Sequence, residues 1–281
     1  MALETKIYQK ENNLRLLKLI KESVLDIYNS RFLAKQLAVR DIKSQYRQSY
    51  LGMIWIVVTP LATAAIWIFL NNSGTLRISD TGIPYPVYAF SGTLLWSIIT
   101  EAINAPMNST NAARGILSKI NFPKEALITS GVYKLLFNSG IKIVLLFIFV
   151  FAYGIGFHWT FVLFPLIMMV AILFGTTIGL FLTPLGMLYT DVKRMISFVL
   201  SFLMYATPVV YSIPKEGILK VIMELNPITP IVSMARDALV GGDFAFLYYF
   251  LGVTLGIIPL FFLALVLYRI SIPIIVERLS A

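Results

Sequence analysis

A chain of 281 residues that is 58% hydrophobic, only 13% charged and +9 in net charge, with a mean hydropathy of +0.81, is too apolar to be a soluble globular domain. The absence of cysteine excludes disulfides, thiolate metal sites and cysteine nucleophiles. The expected class is an all-α integral membrane protein.

The first thirty residues mix charge with Leu and Ile and contain no apolar core followed by a small-residue cleavage site. They read as a cytoplasmic N-terminal segment, 1–30, with no cleavable signal peptide expected. Residues 31–50 follow as an amphipathic interfacial helix. Gln36, Arg40, Lys43, Ser44 and Arg47 fall on one face, Phe32, Val39, Ile42 and Tyr46 on the other, while Arg31 and Lys35 lie off the stripe. Such a basic face can serve as an anchor on anionic lipid, each residue contributing about 1 kcal/mol. It can equally form an anion site, because two guanidinium forks and an ammonium one helical turn apart suit the diphosphate of a lipid substrate.

Crossing about 30 Å of hydrocarbon takes roughly 20 helical residues. Six runs meet that need: 51–70, 85–103, 134–153, 160–187, 196–211 and 248–268, giving a six-span domain over 51–281. Pro165 and Pro184 predict tilt or kinking in the fourth run, and Pro208 ends the fifth. Glu101 lies near the inner end of the second, and Lys142, two turns into the third, is placed to snorkel to the inner surface. Gly175 and Gly179 form a small-xxx-small pair suited to close helix packing. Phe198, Phe202 and Tyr205 share a face of the fifth run, as do Trp55, Thr59 and Phe69 of the first. Such stripes serve packing or lipid contact, or present flat apolar surfaces to sugar rings in a channel.

Two connections are unusual. Residues 113–127 form a broken, wet segment between the second and third runs, either an ordinary connector or a handle for a cytoplasmic partner. Between the fifth and sixth runs about thirty apolar residues predict two short helices. Ser212 caps the first, with Pro214 in its first turn and a stop at Asn226-Pro227; Thr229 caps the second, which starts at Pro230 and stops at Gly241-Gly242. These helices are too short to span and too apolar for a solvated loop, so they read as a re-entrant or interfacial pair, either roofing a channel or capping the bundle. Basic residues fix the orientation. Eighteen of 23 lie on the side of the N-terminus, against Arg77, Lys215, Lys220 and Arg236 opposite, so both termini are cytoplasmic. The positive charge reports this bias, and no nucleic-acid partner is needed to explain it.

Catalytic signatures are missing. The chain has no GxSxG, HExxH, GxGxxG or GxxxxGK[ST] pattern, and its one histidine, His158, sits beside Trp159 in an outer turn. No catalytic residue, metal site or cofactor of its own is expected. A membrane enzyme acting on a polyprenyl phosphate, the reading from another class, would need a carboxylate or histidine cluster.

"LAVRDIKSQYRQSYLGMIWIVVTPL" (37–61) resembles the entry segment of type-2 ABC exporter permeases of polysaccharide systems. "PYPVYAFSGTLLW" (84–96), "SKINFPKEAL" (118–127), "LYTDVKR" (188–194), "TPVVYSIP" (207–214) and "LNPITPIVSMARDAL" (225–239) resemble further family segments in the family's order. The resemblance implies a permease subunit rather than an enzyme: a homodimer bound to two copies of a nucleotide-binding ATPase, which holds the ATP and magnesium. Its implied cargo is an undecaprenyl-diphosphate-linked polysaccharide such as O antigen, exported across the bacterial inner membrane. Capsule and teichoic acid exporters of the same family are the alternatives. The resemblance further implies that Arg40, Lys43 and Arg47 receive the head group and that Trp55, Phe69, Phe198, Phe202 and Tyr205 line the channel. It makes Lys119, Phe122, Pro123 and Lys124 the coupling contact with the ATPase, and places Pro214, Asn226, Pro227, Pro230 and Arg236 in an outer gate.

Overall fold

The computed structural model describes residues 16–47, 49–74, 82–117, 119–120 and 122–280. Residues 1–15 of the N-terminal segment and Arg77 of the first outer loop lie outside them. Every regular element among the described residues is helical.

Leu16–Asn29 (α1) and Arg31–Arg47 (α2) precede the spans and are hinged at Ser30, whose hydroxyl donates to the Asp26 carbonyl. α2 lies along the later helix Glu125–Ala152 and buries Ala34 and Ala38, small residues one turn apart that permit close approach. Phe32 and Val39, placed by pattern on an apolar face, are exposed instead.

Ile54–Asn72 (α3) starts after Gly52, whose φ of 50° lets the chain turn sharply into it. Tyr85–Ala112 (α4) is entered through Pro84 and Pro86, which fix φ where no helix hydrogen bond is lost. A single turn, Arg114–Leu117 (α5), begins the connector to Glu125–Ala152 (α6). A 3-10 turn at Trp159–Leu163 leads into Phe164–Leu188 (α7), and Asp191–Tyr205 (α8) opens with a carboxylate that complements its N-terminal dipole. Ile218–Leu225 (α9), Ile228–Val240 (α10) and Leu247–Ser280 (α11) complete the chain.

α4 is the central post. Val87 to Ile99 is buried almost without interruption, against α7, α6, α3 and α10. Close approach there depends on glycines. A Cβ on Gly179 would sit 2.2 Å from the Ile103 carbonyl oxygen, and one on Gly175 would sit 2.5 Å from the Ala102 Cβ, so the small-xxx-small pair serves the packing its spacing predicts.

Four helices are long and apolar enough to cross a membrane: Ile54–Asn72, Glu125–Ala152, Trp159–Leu188 and Leu247–Arg278. The α9–α10 pair, bent by 80° at Asn226-Pro227, reaches the same standard only as one broken unit. Of the six expected runs, the second falls short on composition and the fifth on length. α4 carries Ser91, Thr93, Ser97, Thr100, Glu101 and Asn104, most of them bonded back to carbonyls three or four residues earlier. α8 has 15 residues, about 22 Å at 1.5 Å per residue.

The hairpin departs from expectation at its starts. Pro214 lies in irregular chain, and α9 begins four residues later, after Gly217 with φ 98°, so it has 8 residues instead of about a dozen. Asn226, not Thr229, caps α10: its Oδ1 accepts the Ile228 N–H at 3.0 Å. The helix stops as predicted, at Gly241 in the left-handed conformation.

At the connector end of the bundle a second cluster packs Leu117, Leu127, Leu180, Met187, Leu265 and Ile272, with Ile27 and Phe122 against it. A polar knot ties it together. Arg269 donates to Asp26 at 2.6 Å and to Glu125, with Glu22 at 3.4 Å, and Ser23 donates to Glu125 at 3.2 Å. The fully buried Tyr268 hydroxyl is 2.9 Å from Thr110.

Gly92 provides the clearest test of this packing. A Cβ there would meet the Val209 carbonyl oxygen at 1.8 Å and Arg236 Nη2 at 2.6 Å, whereas one on Gly140 meets nothing within 4 Å. Gly92→Ala should destabilise the purified protein by about 1–3 kcal/mol or more, read as a lowered thermal midpoint. Gly140→Ala should leave it unchanged or raise it slightly.

Candidate functional site

The basic residues of α2 do come together. Arg40, Lys43 and Arg47, with Ser44, line an open groove of 570 Å³. Their states differ, a point that spacing alone does not reveal. Arg40 is held by its neighbour Asp41, with Nε and Nη2 at 2.9 and 2.7 Å from Oδ1, so part of its charge is compensated. Lys43 and Arg47 form no ion pair among the described residues.

Directly behind α2 the structure joins two ionisable residues that the sequence leaves apart. Lys142 does not snorkel. It is buried, and its Nζ lies 2.8 Å from Glu101 Oε2. Asn138 donates to the other Glu101 oxygen, and the Tyr46 hydroxyl lies 3.3 Å from Asn138 Oδ1, so α2, α4 and α6 share one polar chain. A charge pair in hydrocarbon survives only with this degree of hydrogen bonding, because each ion has lost its water.

The aromatic stripes face outward. Trp55, Phe69, Phe198, Phe202 and Tyr205 are all at least half exposed, from 50% at Tyr205 to 70% at Phe69. Phe198 and Phe202 touch with ring centroids 4.7 Å apart, and Trp67 of α3 meets Tyr205 at the end of α8 edge-on at 6.4 Å. Thr59, Ser197 and Ser201 lie exposed beside these rings with their hydroxyls bonded to carbonyls four residues earlier, so the surface offers few free donors.

In the connector, Lys119 and Pro123 are exposed, while Phe122 is half-buried against the second cluster. Lys124 lies over the Phe122 ring at 5.1 Å and donates to the Phe122 carbonyl at 3.0 Å. Partial burial holds its ammonium below the usual lysine value, opposed by the neighbouring Glu125.

The remaining residues singled out by sequence gather around the break after α8. Asn226 donates to the Ala206 carbonyl and to Thr207 Oγ1 at 2.9 and 2.8 Å, and Pro227 and Pro230 open α10. Pro214 stands apart in the irregular segment that precedes α9. Arg236 is buried. It donates to the carbonyls of Pro208 and Val209 at 3.1 and 3.0 Å and stacks on the Tyr88 ring at 3.6 Å. The role of Tyr88 as platform has no signal in the sequence beyond its being an aromatic in an apolar run.

No group of three or more His, Asp or Glu side chains able to hold a metal occurs among the described residues. Comparison with known proteins gives a consistent picture. The chain is 27% identical over 214 residues to the O-antigen export system permease protein RfbA of Myxococcus xanthus, covering 75% of this chain and 81% of that one. It is 27% identical over 246 residues to the protein of the same name from Klebsiella pneumoniae, with 83% and 92% covered. The polysialic acid transport protein KpsM of Escherichia coli is 24% identical over 244 residues, with 83% and 91% covered. Residues 33–240, from the basic helix to the end of the bent hairpin, match the ABC-2 type transporter family, and the chain belongs to it.

Proposed function

We propose that the chain is the membrane permease of an ATP-driven exporter of lipid-linked polysaccharide, moving O antigen on undecaprenyl diphosphate across the bacterial inner membrane. Likeness over 83% of the chain to an O-antigen export permease carries this reading. Two copies form the exporter, with the aromatic faces of α3 and α8 lining a channel between them. Each copy binds one nucleotide-binding ATPase, which holds ATP and magnesium and docks on the connector through Lys119, Phe122, Pro123 and Lys124. Six helices cross, namely α3, α4, α6, α7, α8 and α11, with both termini cytoplasmic. The polarity of α4 suits a span enclosed by protein rather than lipid. The bent α9–α10 pair, with Pro214, Asn226, Pro227, Pro230 and Arg236, forms a re-entrant outer gate.

The chemistry supports this division of labour. A long polymer cannot be enclosed whole, so it needs a continuous lumen whose walls slide past sugar rings without gripping them. Exposed aromatic faces with their neighbouring hydroxyls internally satisfied meet that need. The diphosphate carries fixed charge, and Arg40, Lys43 and Arg47 offer it a groove at the foot of the first span. Similarity to a polysialic acid transport protein favours a second cargo, an acidic capsule polymer, handled by the same parts.

Neutralising the groove tests the head-group role. Two charge-assisted contacts worth about 1.5–3 kcal/mol each are at stake, so Arg40→Gln with Arg47→Gln should raise the concentration of lipid-linked oligosaccharide that half-stimulates ATP hydrolysis about tenfold or more. Arg47→Gln alone should account for most of the change, because Arg40 is already engaged by Asp41. Eight other basic residues precede the first span, so insertion and orientation should be normal. A double variant that responds at wild-type concentrations leaves the stripe as a lipid anchor only.

The coupling contact is tested by Phe122→Asp, which puts a charge where an interface anchor sits. Because Phe122 also packs on the second cluster, the thermal midpoint is measured alongside; permease that is still folded should fail to retain its ATPase during gel filtration. Retention with unchanged export would remove the assignment.

A further inference from the structure

On α2, residues Ala34, Ala38, Asp41 and Gln45 follow the i, i+4, i+7, i+11 spacing of a single helical face. The two alanines are packed tightly. Where the face changes to Asp41 and Gln45, contact opens into a cavity of 470 Å³ between α2, α4 and α6, at the end of the bundle that carries the connector. That volume is within the range of about 300–1,000 Å³ typical of small-molecule sites, but the lining is not the usual apolar one. Asp41, Gln45, Glu101, Asn108, Lys134 and Asn138 all contribute, and no aromatic does.

Both carboxylates are already engaged, Asp41 by Arg40 and Glu101 by Lys142, while Lys134 and Lys193, the latter closing the rim from α8, also line the cavity. Held carboxylates, amides and hydroxyls on one wall suit a ligand rich in vicinal hydroxyl groups. The floor is preorganised: Glu101 and Asn138 are fixed to each other, while Gln45 and Asn108 are exposed and their amides make no hydrogen bond among the described residues. Ser44 lines both this cavity and the basic groove, so the two compartments are adjacent.

We infer that this cavity is a sugar subsite: it receives the first sugar ring of a lipid diphosphate whose phosphates occupy the Arg40, Lys43 and Arg47 groove. The inference rests on the head-group reading above and adds what that reading lacks, a means of distinguishing a loaded carrier from a bare one.

Direct binding to the purified full-length permease tests it, with two probes: undecaprenyl diphosphate, and undecaprenyl diphosphate bearing a single hexose. The wild-type protein should bind the hexosyl lipid about tenfold more tightly, the return on two or three added hydrogen bonds. Asn108→Leu and, independently, Gln45→Leu should abolish that preference while leaving affinity for the bare lipid unchanged. Gln45 lies on an exposed helix surface, which guards against a folding defect, and Asn108→Asp should restore most of the preference. Equal binding of the two lipids by the wild-type protein, or a preference that survives both leucine substitutions, overturns the subsite. If Arg40→Gln with Arg47→Gln still weakens both lipids in that case, the groove stands without it. If neither lipid binds, the groove reading falls and the subsite with it.

Discussion

A break in buried backbone leaves carbonyl groups without their helical partners, and the structure is organised around satisfying them. The break follows α8, at residues 206–211. Arg236 takes the carbonyls of Pro208 and Val209, Tyr88 takes that of Tyr211, and Asn226 takes that of Ala206. These three side chains come from α10, α4 and the hairpin bend. The guanidinium needs no carboxylate there, because its charge is spread over several oxygens and the Tyr88 ring. Gly92 is the counterpart of this arrangement, since only a residue without a side chain lets the segment at Val209 lie against α4.

The same accounting governs the charges deeper in the bundle. Lys142 and Glu101 would each be costly alone in hydrocarbon; as a bonded pair with Asn138 they link three helices at the price of a specific geometry. At the connector end Arg269 gathers acidic side chains from α1 and α6, which attaches the N-terminal helix to the start of a span. The connector thus leaves the bundle from a well-anchored base. Polar α4 is stable in this company because its own turns absorb its hydroxyls and its neighbours cover the rest.

Much of this was legible in the sequence, and the exceptions have physical causes. Apolar runs located the helices of the bundle, because burial and hydrocarbon both demand long apolar segments. The basic stripe of α2 and the glycine stop at Gly241 were also readable, each being a property of residues adjacent on one helix. What escaped were relations between helices. Nothing in the local pattern says that Lys142 meets Glu101 rather than the membrane surface, that Asp41 restrains Arg40, or that Tyr88 lies under Arg236. Pro214 is an acceptable first-turn residue, but the positive φ of Gly217 sets the start of α9 four residues beyond it. Phe32 was misplaced on α2 because alanines, which carry little hydropathy, make the closer contact.

The glycine contact between α4 and α7 has a mechanical side. With Gly175 and Gly179 set against Ala102 and Ile103, neither helix can slide along the other without driving a side chain into backbone. The pair is a fixed mast. α3, by contrast, has only 17% of its apolar stretch buried, and α8 buries only Ile196 and Leu200. Displacement within the subunit is therefore cheapest at these two helices, which behave as staves leaning on the mast. Their outer faces can shift outward or inward while the core beside them keeps its shape.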